Sequence, residues 1–238
     1  AKMNGLGFAH RVPRTYASVQ DALTEQPKAD DLWFIRSQFR GANDKTLCLP
    51  TPIMAAATVP SGHLLQKAVD GLVLIDQHKF TVRLYIVAVN GHLMCYEDSV
   101  VFIHGAAYAP NDANHASQVD NRSYRDAGSH IKLVPGSHTP YAATLSEAAT
   151  ALTSDMTELL EEVRQASIAA AFEASAFALL ALDTLLTKSG DLKLLRIHTF
   201  PSFITTAQID ADVHVPLFKD VLRVMAGIPS RKLATITA

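Results

Sequence analysis

Strand-like apolar runs lead in this chain and helical periodicity follows, an order that predicts an α+β or α/β fold. Two observations carry that reading. The middle of the chain holds closely spaced β-branched and aromatic segments, two of them joined by Asn90-Gly91, a strong short-range hairpin signal. Further on, Met156, Leu159, Leu160 and Val163 recur at the i, i+3, i+4, i+7 spacing of a half-buried helix.

The elements follow in order. Residues 1–30, with Pro13 and Pro27, read as loop plus a short helix over 18–24. Residues 32–35 form a compact apolar strand, 37–45 a polar turn, and 46–49 a short strand closing a hairpin. Prolines and an alanine run make 50–62 a loop or one short helix. Strands are expected at 73–75, 81–89, 93–96 and 100–103. Residues 104–140 turn polar and read as a long loop, the kind of segment that carries function or moves. Asp155, with Glu158 three residues on, resembles a capping box, so the helix is expected to start there and continue to about residue 174. Phe177–Leu186 has the pattern of a buried strand, 188–191 of a turn, and Leu192–His198 of a second strand that Pro201 ends. A last helix near 217–225 closes the domain.

Composition narrows the function classes. Of 238 residues, 48% are hydrophobic and 18% charged, ample for a packed core, which excludes a disordered tail or linker. That length fits one large domain or two small ones. A net charge of −2 leaves no electrostatic footprint for nucleic acid or anionic lipid. Arg11, Arg14, Arg36 and Arg40 are too few for a nucleic-acid stripe, which leaves at most a contact at a ribosomal surface. Cys48 and Cys95 lack CxxC spacing and read as reduced core thiols. The most apolar stretch, 166–186, is interrupted by Glu173 and Asp183, so no membrane span is expected. With no secretory signal at its start, the chain reads as a soluble intracellular protein. Its first residue is an alanine, which allows an upstream segment such as a mitochondrial presequence to have been removed. His92, His104, His115, His130 and His138 lack metal-ligand spacing and read as scattered loop histidines. No GxSxG elbow is present.

Several segments, taken together and in order, carry a resemblance. They are VPRTY at 12–16, WFIRS at 33–37, QKAVDGLVLIDQHKFTVRLY at 66–85, QVDNRS at 118–123, FALLALDTLL at 177–186 and LLRIHTFPSF at 194–203. They are similar to the P-K-T-Y, W-I-x-K-P, QKY-I with K-F-D-L-R-x-Y, H-L-T-N-x-S, F-E-L-L-G-F-D and L-L-E-V-N-x-x-P-S-L segments of the tubulin–tyrosine ligase-like family. The resemblance spans residues 12–225. It implies an α+β, ATP-grasp-like fold with mixed or antiparallel sheets and packed helices. Residues 1–62 would supply an N-terminal segment and the central subdomain, without the family's own small N-terminal domain, and 63–238 the C-terminal subdomain.

It also implies a chemistry against which this sequence can be tested. ATP-grasp ligases form an acyl-phosphate from a carboxylate and ATP, and an amine then displaces the phosphate. Cations must neutralise the triphosphate, and oxygen ligands must hold Mg²⁺ between its phosphates. By the resemblance an Asp, a Glu and an Asn on adjacent strands hold the metal. Here these positions are Asp183, Arg196 and His198. Guanidinium and imidazole are not the hard oxygen donors that Mg²⁺ requires. Arg196 is therefore expected to form an ion pair with Asp183 where the metal stood, with His198 packed near Arg196. The K-F-D-L-R segment becomes Lys79 to Arg83, keeping the phosphate-facing arginine and losing the acid. Arg36 replaces the phosphate-gripping lysine, and the glycine-rich loop shrinks to Arg40-Gly41-Ala42-Asn43. Asn121 is kept beside the altered Gln118 and Asp120, and Gln66 and Lys67 stand where the family frames adenine.

The expected site is thus a vestige of nucleotide binding: Arg36, Gln66, Lys67, Lys79, Arg83, Asn121 and Asp183, with no catalytic residue and no metal set. The expected function is that of a pseudoenzyme, a structural or interaction subunit of a larger intracellular assembly, with protein partners and no cofactor. The alternative is an active ATP- and Mg-dependent carboxylate–amine ligase modifying protein tails by tyrosination or glutamylation, with Asp120 or Asp191 as second ligand. A third reading is a metal-independent nucleotide-binding module. Family habit points to the cytoplasm and cytoskeleton.

Overall fold

A computed structural model describes residues 7–37, 48–52, 58–89, 92–119, 131–166, 177–203, 205–230 and 232–235. Two antiparallel sheets organise them. The smaller has the order β1 (Thr15–Tyr16), β4 (His63–Lys67), β2 (Leu32–Ser37), β3 (Cys48–Pro52). Trp33 and Leu65 pack there against Val19 and Ala22 of α1 (Val19–Leu23), whose first turn is capped by the Ser18 hydroxyl. β3 carries Pro50 and Pro52 within its ladder against β2. It is the edge strand, where a missing N–H costs no interior hydrogen bond.

The larger sheet is built on β5 (His78–Val89). Along one side β5 pairs with β9 (Phe177–Leu186), which pairs in turn with β10 (Leu192–His198). On the other side its first half pairs with β7 (Val100–Ala107) and its second half with β6 (His92–Tyr96). β8 (Lys132–Pro135) extends β7, and β11 (Leu233–Thr235) extends β6. Both faces of this sheet are covered, which explains why β5 reads as a nearly continuous apolar run. On one face Val82, Leu84, Ile86, Leu182 and Leu186 meet α3 (Ala142–Ala166) through Leu145, Ala148, Ala149, Leu152 and Met156. On the other, Tyr85, Val87 and Ala181 meet Ile209 of α4 (Ala207–Ile209), Val213 of a π-helical turn (Asp210–His214), and Leu217 and Val221 of α5 (Val215–Met225).

The α+β expectation holds, and the strands expected at 81–89, 93–96, Phe177–Leu186 and Leu192–His198 are present. The turn at 188–191 is present too, with Gly190 at φ 86° where a side chain would be strained. Four expectations are corrected. Residues 73–75 form no strand; only isolated bridges, Leu72 to Thr187 and Ile75 to His78, flank a reversal at Asp76 and Gln77, both with positive φ. The stretch 104–140 is not one loop. It holds the end of β7, a short helix α2 (His115–Gln118), β8 and a turn at Gly136–His138. The long helix begins at Ala142, so Asp155 lies inside it and caps nothing. Pro50 and Pro52 belong to a strand rather than a loop. The expected turn at 37–45 lies mostly, and the Asn90-Gly91 tip and the helix beyond residue 166 wholly, outside the described residues. Among the described residues no helix is long and apolar enough to cross a membrane, and Cys95 is a buried free thiol.

Candidate functional site

The strand register sets three charged residues in a row. Arg83 of β5 stands opposite Asp183 of β9, and Asp183 stands opposite Arg196 of β10. Directly opposed residues share a face, and alternation places this row in phase with Tyr85 and Ala181, on the side covered by α4 and α5. A register shift between Leu194 and Arg196 bulges β10 at this point.

The partner of the Asp183 carboxylate is Arg83, and the expected pairing with Arg196 is corrected. Arg83 Nε donates to Oδ1 at 2.7 Å and Nη2 donates to Oδ2 at 3.0 Å, a bidentate fork. His198 Nε2 donates to Oδ2 at 2.6 Å. Arg83 is only 6% exposed; its Nη1 donates to the Ser202 carbonyl at 3.2 Å, and its guanidinium lies 5.0 Å from the Phe102 ring centre. Burial alone would push the Asp183 carboxyl up. The His198 hydrogen bond and the charge and fork of Arg83 outweigh it and hold the group at about 2.

This donor set does not fit magnesium. Both carboxylate oxygens already accept from nitrogen donors, and the facing side chains are a guanidinium and an imidazole. Among the described residues no three His, Cys, Asp or Glu side chains gather closely enough to hold a metal ion. Asp191 lies at the far end of the same hairpin. It accepts from Arg11 Nη1 at 3.2 Å and from the Ser189 hydroxyl at 2.8 Å, a bond that with nearby cations holds its carboxyl below the ordinary range. Asp120 and Asn121 lie outside the described residues.

The remaining expected cations face protein acceptors. Lys79 is 5% exposed; its ammonium donates to the Gln118 carbonyl at 3.0 Å and to Gln118 Oε1 at 3.3 Å, and it sits 5.1 Å from the Phe34 ring centre. Arg36 Nη1 donates to Gln66 Oε1 at 2.6 Å and to the Leu195 carbonyl at 3.0 Å. That carbonyl belongs to the bulge of β10, where the extra residue falls out of the ladder. Gln66 Nε2 donates to the Thr15 hydroxyl at 3.1 Å. Lys67 stands 3.9 Å from Asp31 at the rim of a cleft of about 240 Å³, lined also by Tyr108, Asn111 and Lys188. The structure thus unites Arg83, Asp183 and His198, links Arg36 to Gln66, places Lys79 over Phe34, the strand partner of Gln66, and pairs Lys67 with Asp31.

Sequence reasoning missed the neighbouring buried pair. Tyr85 donates its hydroxyl to His214 Nε2 at 2.8 Å, and His214 Nδ1–H donates to Asp210 Oδ1 at 3.2 Å. The i, i+4 spacing of Asp210 and His214 was the available signal; nothing in sequence joins either to Tyr85.

A model of the tubulin-tyrosine ligase family matches residues 8–234, nearly the whole chain. No curated protein matches it.

Proposed function

The chain belongs to the tubulin-tyrosine ligase family, and we propose that it is a degenerate member without ligase activity, a structural or interaction subunit of a larger intracellular assembly. The observation that carries this reading is the closed cluster of Arg83, Asp183 and His198. A dication seated there would displace a bidentate arginine and face Arg196 as well. At about 4 Å and an effective dielectric near 20, two unit charges repel by about 4 kcal/mol, so a dication beside one guanidinium costs roughly twice that. The other retained cations support the same reading. A triphosphate needs cations turned toward it, whereas Lys79 and Arg36 are turned toward Gln118, Gln66 and a backbone carbonyl. A fold does not carry its chemistry once the site has changed.

The ligase alternative would need a second oxygen ligand beside Asp183, and Asp191 is engaged at the other end of the hairpin by Arg11 and Ser189. The cleft beside Lys67 favours the third reading, a nucleotide-binding module working without metal, since it adjoins the segment that the family uses for adenine.

Incubating the chain with ATP, Mg²⁺, a carboxylate-bearing protein tail and free tyrosine or glutamate as the amine separates the three. The expected outcome is no phosphate release and no magnesium-dependent rise in melting temperature. Magnesium-dependent turnover would establish the ligase. A melting shift with ATP that persists in EDTA would establish the module.

A further inference from the structure

Helix α5 is apolar on two sides. Its inner side, Leu217 and Val221, is buried against the large sheet. Its outer side carries Val215 (46% exposed), Phe218 (40%), Leu222 (65%) and Met225 (56%). Their spacing of three, four and three residues is that of a helix–helix seam, and at 3.6 residues per turn the four lie within about 80° of one another. Ile228, just past the helix, is also exposed, and the Phe218 ring is anchored on Phe203 at 4.7 Å. The exposed charged residues of α5, Lys219 and Arg223, are both basic, and its one acid, Asp220, is buried.

We propose that the outer face of α5 docks a partner helix with an apolar stripe at matching spacing and acidic residues along the flank that meets Lys219 and Arg223. The inference rests on the reading of this chain as an interaction subunit and names the surface that subunit uses. The seam spacing favours a helix, because a lipid surface imposes no register on what it binds. Anionic membranes select clusters of roughly four to eight basic residues, and this helix offers a pair. A second copy packed antiparallel through the same stripe would oppose one basic flank to the other. A parallel copy would offer the basic flank no acid, since Asp220, the one acid of α5, is buried. An acidic flank on the partner satisfies both features, with the apolar seam supplying contact and the charges supplying partner choice.

The test uses the full chain and two synthetic helical peptides. They share a leucine seam at the same spacing and differ only in carrying glutamate or lysine along the flanks. Fluorescence anisotropy is expected to show the glutamate peptide binding at least about tenfold more tightly than the lysine peptide. Leu222→Ser with Met225→Ser, at positions too exposed to support the core, is expected to abolish that binding. Lys219→Glu with Arg223→Glu is expected to invert the preference. Equal binding of both peptides, or no binding of the glutamate peptide, overturns the proposal. So does binding to phosphatidylserine vesicles, or a dimer in sedimentation, that the Leu222→Ser/Met225→Ser variant loses, since the face would then serve lipid or a second copy. No nucleotide enters this assay. Its failure therefore leaves the subunit reading intact, whereas Mg-dependent ATP turnover would remove that reading whatever the peptides do.

Discussion

At the scale of single residues, Asp183 concentrates the energetics of the site. It is only 18% exposed on its side chain, and a carboxylate so placed is tolerable only because Arg83 and His198 neutralise and hydrogen-bond it. Arg83→Met keeps the buried stem volume and removes the fork, leaving the carboxylate with one partner. A loss of about 3–5 kcal/mol in urea denaturation is expected. Replacing both residues, Arg83→Met with Asp183→Leu, is expected to recover much of that loss, because no orphaned charge remains. A single-variant cost below about 1 kcal/mol would instead describe a solvent-screened pair. Each residue was visible in the sequence as a retained position. Their partnership was not, because Arg83 and Asp183 meet only through the register of β5 and β9, and the pairing of strands so distant in sequence leaves no local signature. The resemblance points to Arg196 instead, because it sets that residue beside Asp183 on the adjacent strand of the hairpin, where the metal ligands converge.

Elements defined by periodicity were legible, and elements defined by context were not. β9 and β10 stand out because both are apolar enough to be read without neighbours. The start of α3 is hidden in sequence because only Leu145 marks its inward stripe before the small, weakly signalling Ala148 and Ala149, and because serine and threonine interrupt it. Those threonines are accommodated by local bonds: Thr150 to the Ser146 carbonyl and Thr153 to the Ala149 carbonyl. The π-helical turn at Asp210–His214 had no sequence signal, yet it is what aims His214 inward at Tyr85. In that geometry the imidazole is neutral, with Nδ1–H toward Asp210 and Nε2 accepting from Tyr85. Burial pushes its pKa below the ordinary 6.5, with Arg83 acting the same way and Asp210 opposing it. The unfolded chain therefore binds this proton more readily. His214 thus contributes stability in full above pH 6.5, and that contribution declines as pH falls below it. Between about pH 7.5 and about pH 5.5 the urea midpoint of the wild type is expected to fall further than that of His214→Gln, whose amide oxygen can still accept from Tyr85. Parallel profiles would show that His214 does not titrate differently on folding.

For the whole molecule, the question is what joins the two sheets. β4 runs to Lys67 within the smaller sheet, so that sheet extends beyond Gly62. Lys79 of β5 lies over Phe34 of β2. Arg36 reaches from β2 to the bulge of β10 while also holding Gln66. A residue that resembles a phosphate-gripping lysine by position thus acts as a tie between sheets, which suits a rigid scaffold. Arg36→Met removes the donor to Gln66 Oε1, on a side chain only 7% exposed, and the donor to the Leu195 carbonyl. Hydrogen bonds from a charged donor contribute about 1.5–3 kcal/mol each where they are shielded. If Arg36 fastens the smaller sheet to the larger, amides of β2 and β4 are expected to exchange at least about tenfold faster in the variant, while those at the centre of β5 and β9 keep their protection. Uniform acceleration across both sheets would mean that they open as one unit, with Arg36 contributing only to global stability. Unchanged exchange in β2 and β4 would assign their attachment to the Lys79–Phe34 contact.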